Sequence, residues 1–324
     1  MSAHVIIGAG VAGRHHERVL VNAGRTIVAI LDSAEPDFAT DLEDALQSAP
    51  TDAIWHICTP TATHLAYIQL IRTRCPLAGA IVEKPIGRPG EVISFASFGK
   101  SGRIMVQSQY SYARCVSLYR RHVNLLREGG PTVVQIDFAK DRTKDIGRFV
   151  DNDRGAFGYE GFHQIALGLR LLGGNRCHTR RPVVIESACR NHHGFFAKMR
   201  IGVDHLYISS SLDRPMRHAW VEARAGGQSV RLDLETREWF TGVPRQTHFV
   251  AARNMDSIVE EDLIETGILA CVDALTRGDT ARIEKNFRAA IAVETLLDRL
   301  VSSSTDFSRG TRLAVSEKAG APNE

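Results

Sequence analysis

The sequence predicts an α/β half followed by an α+β half: a doubly wound parallel sheet first, then an open, mainly antiparallel sheet with helices on one face. Three observations predict it. The first third alternates short apolar runs with helical patterns, the signature of strand-helix-strand units. A glycine-rich turn, Gly8-Ala9-Gly10-Val11-Ala12-Gly13, joins the first strand to the first helix. Beyond Gly129-Gly130-Pro131 longer strand-like stretches take over, which points to antiparallel pairing.

In order along the chain, strands are expected near His4 to Gly8, Thr26 to Leu31, Ala53 to Cys58, Ala80 to Val82 and Ile104 to Gln107, with helices at Arg14 to Ala23, Ala39 to Ser48 and Thr63 to Thr73 between them. The second half reads as strands over Thr132 to Ala139, Val183 to Cys189, Ala197 to Leu212, Arg217 to Ala223 and Gln228 to Asp233. A helix over Phe162 to Leu172 interrupts them and ends at Gly173-Gly174. Helices over Asp256 to Arg277 and Thr280 to Ser302, broken at Gly278-Asp279, close the fold. The expected division is a nucleotide-binding domain over 1–118, a substrate and oligomerisation domain over 119–302, and a tail over 303–324 without clear periodicity.

Two domains suit 324 residues, and two domains create a cleft. With 44% hydrophobic and 24% charged residues the composition is that of a globular chain, not a disordered or fibrous one. A formal charge of +3, with both signs dispersed, argues against a nucleic-acid partner. No apolar stretch is long enough to span a bilayer, and the opening Met1-Ser2-Ala3-His4 lacks the features of a secretory signal, so no membrane partner and a cytoplasmic location are expected. Six scattered cysteines fit neither a zinc site nor a disulfide framework, and reduced thiols are the expectation. His192-His193 with His178 completes no metal-ligand spacing, because neighbouring side chains on a strand point to opposite faces.

The glycine turn carries the first functional signal. Gly8 permits the tight turn, Gly10 lets the backbone approach a pyrophosphate, and Gly13 allows close packing of helix on strand. The helix N-terminus, reached through Val11 and Ala12, attracts the phosphate charge. Asp32 ends the second strand at about the 20-residue distance where a carboxylate can hold both ribose hydroxyls. Ser33, Ala34 and Glu35 follow without a cation to neutralise a 2′-phosphate, so NAD is preferred over NADP. A simple strand-end turn is the other reading of Asp32.

Taken with Gly8-x-Gly10-x-x-Gly13-x-x-His16, the stretches Cys58-Thr59-Pro60-Thr61-Ala62-Thr63-His64 and Glu83-Lys84-Pro85 resemble the glucose-fructose oxidoreductase / inositol dehydrogenase family. The three motifs stand in the family's order within the first third; beyond it the likeness rests on layout and on Gly161-x-His163. The resemblance implies a Rossmann domain, an open sheet facing the nicotinamide, Cys58, Thr59, Pro60, His64 and Glu83 along the cofactor, and Lys84 as the catalytic lysine. A lysine between an apolar strand and a proline is held rigidly at a strand end, which agrees with that role; a solvated strand-end charge is the alternative.

Family members carry Asp-x-Gly-x-His-x-x-Asp in the second domain, whereas here the stretch reads Tyr159-Glu160-Gly161-Phe162-His163-Gln164-Ile165-Ala166. His163 is kept as a second catalytic candidate, and both Asp positions are replaced, by Tyr159 and Ala166. Tyr159 or Glu160 is expected to orient His163 in their stead. A satisfied histidine at a helix start is the plainer alternative. Gln109, Tyr110, Tyr159 and Glu160 complete the expected substrate lining, although Tyr110, Tyr112 and Phe138 also suit interdomain packing. Lys140, Arg142, Lys144 and Arg148, interleaved with Asp141 and Asp145, read more readily as a solvated loop than as an anion site.

The expected activity is hydride transfer between nicotinamide and a secondary alcohol, or its ketone, on a sugar, cyclitol or related small polar molecule. Two alternatives stand beside it: reduction of an imine or unusual ketone, and a non-catalytic NAD-binding sensor. A homodimer or homotetramer formed through the open sheet is expected, because an uncovered sheet face needs a partner.

Overall fold

The computed structural model describes residues 2–98, 102–142, 154–173, 182–191, 193–242, 250–251 and 262–306. Within 3–106 five parallel strands, β1 (Ala3–Ile7), β2 (Thr26–Leu31), β3 (Ile54–Ile57), β4 (Gly79–Val82) and β5 (Ile104–Val106), form one sheet in the order β2-β1-β3-β4-β5. β1, β3, β4 and β5 are buried along their whole length, as parallel strands covered on both faces must be. Val5, Ile7, Trp55 and Ile57 join the core on one face, and Ile6, Ile54 and Ile81 join the core on the other.

Helices α1 (Val11–Asn22), α2 (Phe38–Ser48) and α3 (Thr61–Arg74) are the crossovers, followed by α4 (Val92–Phe98). α1 begins three residues earlier than the periodicity suggests, because the glycine turn leads straight into helical backbone at Val11. Three helices escaped the sequence reading: α4, the short α5 (Gln109–Tyr112) and α6 (Arg114–Glu128).

The second sheet has nine strands among the described residues, ordered β13-β12-β11-β10-β6-β9-β8-β7-β14. These are β6 (Val133–Asp141), β7 (Val183–Arg190), β8 (Gly194–Ile201), β9 (Asp204–Ser211), β10 (Asp213–Ala225), β11 (Gln228–Asp233), β12 (Trp239–Gly242), β13 (Val250–Ala251) and β14 (Thr305–Asp306). Pairing is antiparallel except for β6 with β9 and β7 with β14, so the open, mainly antiparallel sheet is borne out. One expected strand is corrected. Ala197 to Leu212 is a hairpin, since Ile201 pairs with Asp204 and Gly202 turns the chain at φ 66°.

Alternation decides which face is covered. Val134, Ile136 and Phe138 of β6 are buried, while Val133, Gln135 and Asp137 between them are half-buried on the opposite face. The buried face packs against α6, α7 (Phe162–Leu172) and α9 (Thr280–Ser303). A π-helical turn over Phe157–Gly161 leads into α7, and the Phe157 ring stacks on Phe195 of β8 at 4.1 Å between centroids.

The described part of the expected helix over Asp256 to Arg277 is α8 (Leu263–Arg277), capped by the Asp262 carboxylate and closed by Gly278 in the left-handed conformation. Residues 256–261 lie outside the described residues. α8 returns to the first sheet, where Ile268, Cys271, Val272 and Leu275 pack with Ile6, Val19, Leu20 and Ile81. Residues far along the chain therefore complete the packing of the N-terminal sheet.

Candidate functional site

The glycine turn is built as a cradle. Gly8 has φ +96°, and a Cβ there would sit 2.8 Å from the Cys58 carbonyl oxygen. A Cβ on Gly13 would sit 1.8 Å from the Gly8 carbonyl oxygen, so helix and turn meet at a distance only glycine allows. A Cβ on Gly10 would meet nothing within 4 Å, which leaves open space over the backbone at the tip of α1. Val11 stands half-exposed beside it.

Asp32 closes the far side of the cradle. Its carboxylate accepts from the backbone N–H of Ala9 at 2.9 Å and of Ala34 at 3.0 Å, which ties the end of β2 to the glycine turn. Each oxygen keeps lone pairs for further donors, and neighbouring Ser33 is exposed. An open glycine cradle with a carboxylate at its rim fits the pyrophosphate and ribose of a dinucleotide.

At the start of α3 the Thr59 carbonyl accepts a hydrogen bond from His64 Nε2 at 2.8 Å, and Thr63 donates to the Thr59 hydroxyl at 2.7 Å. These bonds fix the Thr59-Pro60 turn at the strand end, with Pro60 exposed. Burial pushes the His64 pKa down, only partly offset by its hydrogen bond to Thr59 and by the charge of Glu83. Burial, with the negative charge of Glu83 added, raises the Cys58 thiol well above its ordinary value, so Cys58 stays protonated.

Behind Glu83 runs a chain of three buried histidines. His16 Nε2 lies 3.0 Å from Glu83 Oε1, His16 Nδ1 lies 2.7 Å from His56 Nδ1, and His56 Nε2 lies 3.0 Å from His4 Nδ1. Burial lowers His56 well below its ordinary pKa and brings His4 down to about 4. A carboxylate can only accept, so His16 Nε2 donates to Glu83. Burial alone would raise the Glu83 pKa. The His16 hydrogen bond and the charges of His16, Lys84 and His64 outweigh it and hold the carboxyl below its ordinary value.

Lys84 leaves the end of β4 before a cis bond to Pro85. Its ammonium is half-buried and donates to the Tyr159 carbonyl at 3.4 Å, across from the first sheet to the π-helical turn before α7. His163 lies within this region with its ring edge-to-face against Tyr110 at 5.5 Å. Burial first, then the positive charges of Lys84 and Lys140, push its pKa well down, so His163 is neutral. Its Nδ1 is buried without a hydrogen-bond partner.

The expected pairing of His163 with Tyr159 or Glu160 is not what the structure forms. Glu160, 6% exposed, makes an ion pair with Lys140 from the end of β6, and the Tyr159 contribution is its carbonyl to Lys84. The geometry explains the choice: a π-helical turn does not keep the i, i+3 spacing of an α-helix, and it turns Glu160 toward the sheet. Lys140, assigned by its mixed-charge surroundings to a solvated loop, is thus a site residue that sequence reasoning missed. Burial lowers its pKa, with Glu160 acting in the opposite direction. Arg142 lies over the Tyr159 ring at 5.5 Å, whereas Lys144 and Arg148 lie outside the described residues.

Tyr110 is buried between Phe138, at 5.8 Å, and His163, which makes it both interdomain packing and a wall of the cleft. Burial raises its hydroxyl pKa, with the charge of Glu160 acting in the same sense. Gln109 is half-buried in α5 beside it. His178 and His192 lie outside the described residues, and no group of three or more metal-ligating side chains occurs among the described residues.

A glycine cradle with a rim carboxylate thus lies beside a strand-end lysine that faces an open sheet. Solved structures share the fold. An inositol dehydrogenase homolog from Azotobacter vinelandii, complexed with NADH and myo-inositol, matches with a TM-score of 0.73 at 15% identity, covering 93% of this chain and 95% of that one. KijD10, a 3-ketoreductase from Actinomadura kijaniata in complex with NADP and TDP-benzene, matches with a TM-score of 0.72 at 16% identity, covering 94% and 98%. The dehydrogenase MviM from Clostridium difficile matches with a TM-score of 0.68 at 13% identity, covering 93% and 99%. The fold implied by the three motifs is thereby borne out. No family model and no curated protein matches the sequence. Among the described residues no helix is long and apolar enough to cross a membrane.

Proposed function

We propose that this chain is an NAD-dependent oxidoreductase of the glucose-fructose oxidoreductase / inositol dehydrogenase family, acting on a secondary alcohol or its ketone in a sugar, cyclitol or related small polar molecule. The observation that carries the reading is the placement of Lys84 at the strand end next to the glycine cradle, bonded across the cleft to Tyr159. Bound in the cradle, the nicotinamide dinucleotide supplies hydride acceptor and donor chemistry. Gly8, Gly10 and Gly13 give its pyrophosphate room, and the Asp32 carboxylate, which repels a 2′-phosphate, supports NAD over NADP.

Lys84 takes the hydroxyl proton in oxidation and returns it in reduction. Neutral His163 offers a lone pair or one N–H to a substrate hydroxyl, and Lys140 with Glu160 offers a donor and an acceptor where the family uses aspartates. That replacement also supports a second reading, reduction of an imine or unusual ketone. Residues 1–118, completed by the returning α8, hold the cofactor, and 119–302 supply the substrate wall. The outer face of the open sheet presents Phe196, Tyr207 and Trp220, and a second copy of the chain is its proposed cover.

The test compares Lys84→Ala with the wild type. NAD affinity by calorimetry stays the same, while kcat/KM on the polyol or imine that the wild type turns over falls by about 10²- to 10⁴-fold, the usual share of a positioned proton-transfer group. Unchanged turnover refutes the assignment. NADH binding by a wild type that reduces no carbonyl or imine would instead select a sensor.

A further inference from the structure

The backbone that follows Lys84 is tied down by residues from two distant parts of the chain. The Ile86 N–H donates to Glu294 Oε1 of α9 at 2.7 Å, and the Gly90 N–H donates to Asp298 Oδ2 of α9 at 3.1 Å. Between them the Gly87 carbonyl accepts from the Arg154 guanidinium at 2.6 Å. Arg154 also reaches both carboxylates, 2.7 Å from Asp298 Oδ1 and 3.1 Å from Glu294 Oε2. One guanidinium therefore joins the segment after Lys84 to α9.

The run of chain that carries Arg154 also meets Lys84 itself. From Arg154 it continues into the π-helical turn, where the Tyr159 carbonyl accepts from Lys84 Nζ at 3.4 Å, and then into α7 with His163. Lys84 is thus fixed at both ends from one side of the cleft: its ammonium by Tyr159, and the backbone just beyond it by Arg154.

Stability alone does not account for the cluster. Arg154 and Glu294 are both fully buried. Taking two charges out of water costs so much that apolar side chains of similar volume in their place are often neutral or more stable. What the ion pair supplies and an apolar pair does not is direction: the planar fork and the carboxylate oxygens specify where the Ile86-Gly87 peptide sits, and with it the starting point of the Lys84 side chain.

From this geometry we infer that Arg154 and Glu294 are positioning residues for Lys84, setting the depth at which its ammonium stands in the cleft. Both act only through the backbone after Lys84, and their consequence for catalysis rests on the reading of Lys84 as the proton carrier.

The test follows Lys84 directly, by the rate at which sulfo-N-hydroxysuccinimide acetate acetylates it in the full chain, read by peptide mass spectrometry against half-buried Lys198 of β8 as reference. In an Arg154→Met/Glu294→Gln double variant that circular dichroism shows to be folded, the Lys84 rate relative to Lys198 should rise about threefold or more, because the loosened segment lets the amine out toward solvent. On the polyol or imine that the wild type turns over, kcat should fall about tenfold or more, with NAD affinity by calorimetry unchanged. If the double variant does not fold, Glu294→Gln, which keeps the shape of the side chain, decides the matter with changes in the same directions. An unchanged relative rate in a folded variant, whether neither lysine responds or both do, overturns the inference, and so does an unchanged kcat where Lys84→Ala is inactive. Where Lys84→Ala also keeps its turnover, the proton-carrier reading is what fails, and the acetylation rates alone decide whether the pair positions the ammonium.

Discussion

Lowering the pH from 7.5 to 5.5 should cost this protein a large part of its stability, through histidines that the fold buries as neutral rings. His4, His56 and His163 are all 5% exposed or less, and burial drops each pKa, to about 4 for His4 and well below the ordinary value for the other two. The unfolded chain binds a proton at each of these positions near pH 6.5 while the folded chain does not. The stability they contribute is therefore complete above pH 6.5 and is lost as the pH falls toward the folded values. Between pH 7.5 and 5.5 each such histidine costs on the order of 1 kcal/mol, so the three together cost a few kcal/mol, against a typical total of about 5 to 15. His64, also lowered, adds in the same direction. Urea unfolding followed by circular dichroism at the two pH values measures the loss. His4→Leu should remove about one third of the pH dependence whatever it does to absolute stability. Equal stability at pH 7.5 and 5.5, or a dependence untouched by removing His4, would refute the buried-neutral account of the histidine chain.

Two further changes probe the scaffold around the site. Gly13→Ala brings a Cβ to 1.8 Å from a backbone oxygen, and because neither partner is a flexible side-chain end, it should cost about 1–3 kcal/mol by thermal unfolding and abolish NADH fluorescence enhancement; tight NADH binding by this variant would contradict the cradle. Arg154 is fully buried, donates to the Gly87 carbonyl at 2.6 Å, and pairs with Asp298 at 2.7 Å and Glu294 at 3.1 Å. Arg154→Met should therefore cost about 3–5 kcal/mol in denaturant unfolding, with Arg154→Met/Glu294→Gln recovering part of it; a loss below about 1 kcal/mol would show that the cluster is not the tie between the segment after Lys84 and α9.

The legible parts of this molecule are those where local chemistry and fold ask for the same residue. The glycine turn could be read because each glycine meets a steric demand within a few residues of itself, and Lys84 because a strand end and Pro85 fix its place. α6 left a signal that was overlooked: Cys115, Val116, Tyr119 and Val123 recur at helical spacing beneath a surface crowded with arginines. The Ala197 to Leu212 hairpin was masked by Val203, which keeps the run apolar through the turn although it is 64% exposed there. Lys140 could not be found locally at all. Its neighbours Asp141 and Arg142 describe a polar strand end, and only the π-helical turn, formed by a segment some twenty residues further on, brings Glu160 against it. The substrate side of the cleft is assembled from such distant pairings, Lys84 with Tyr159, Lys140 with Glu160 and Tyr110 with His163. A motif can announce the cofactor because the cofactor is held by one turn and one strand end, but the substrate is held by contacts between elements, and those become visible only when the second sheet closes over the first.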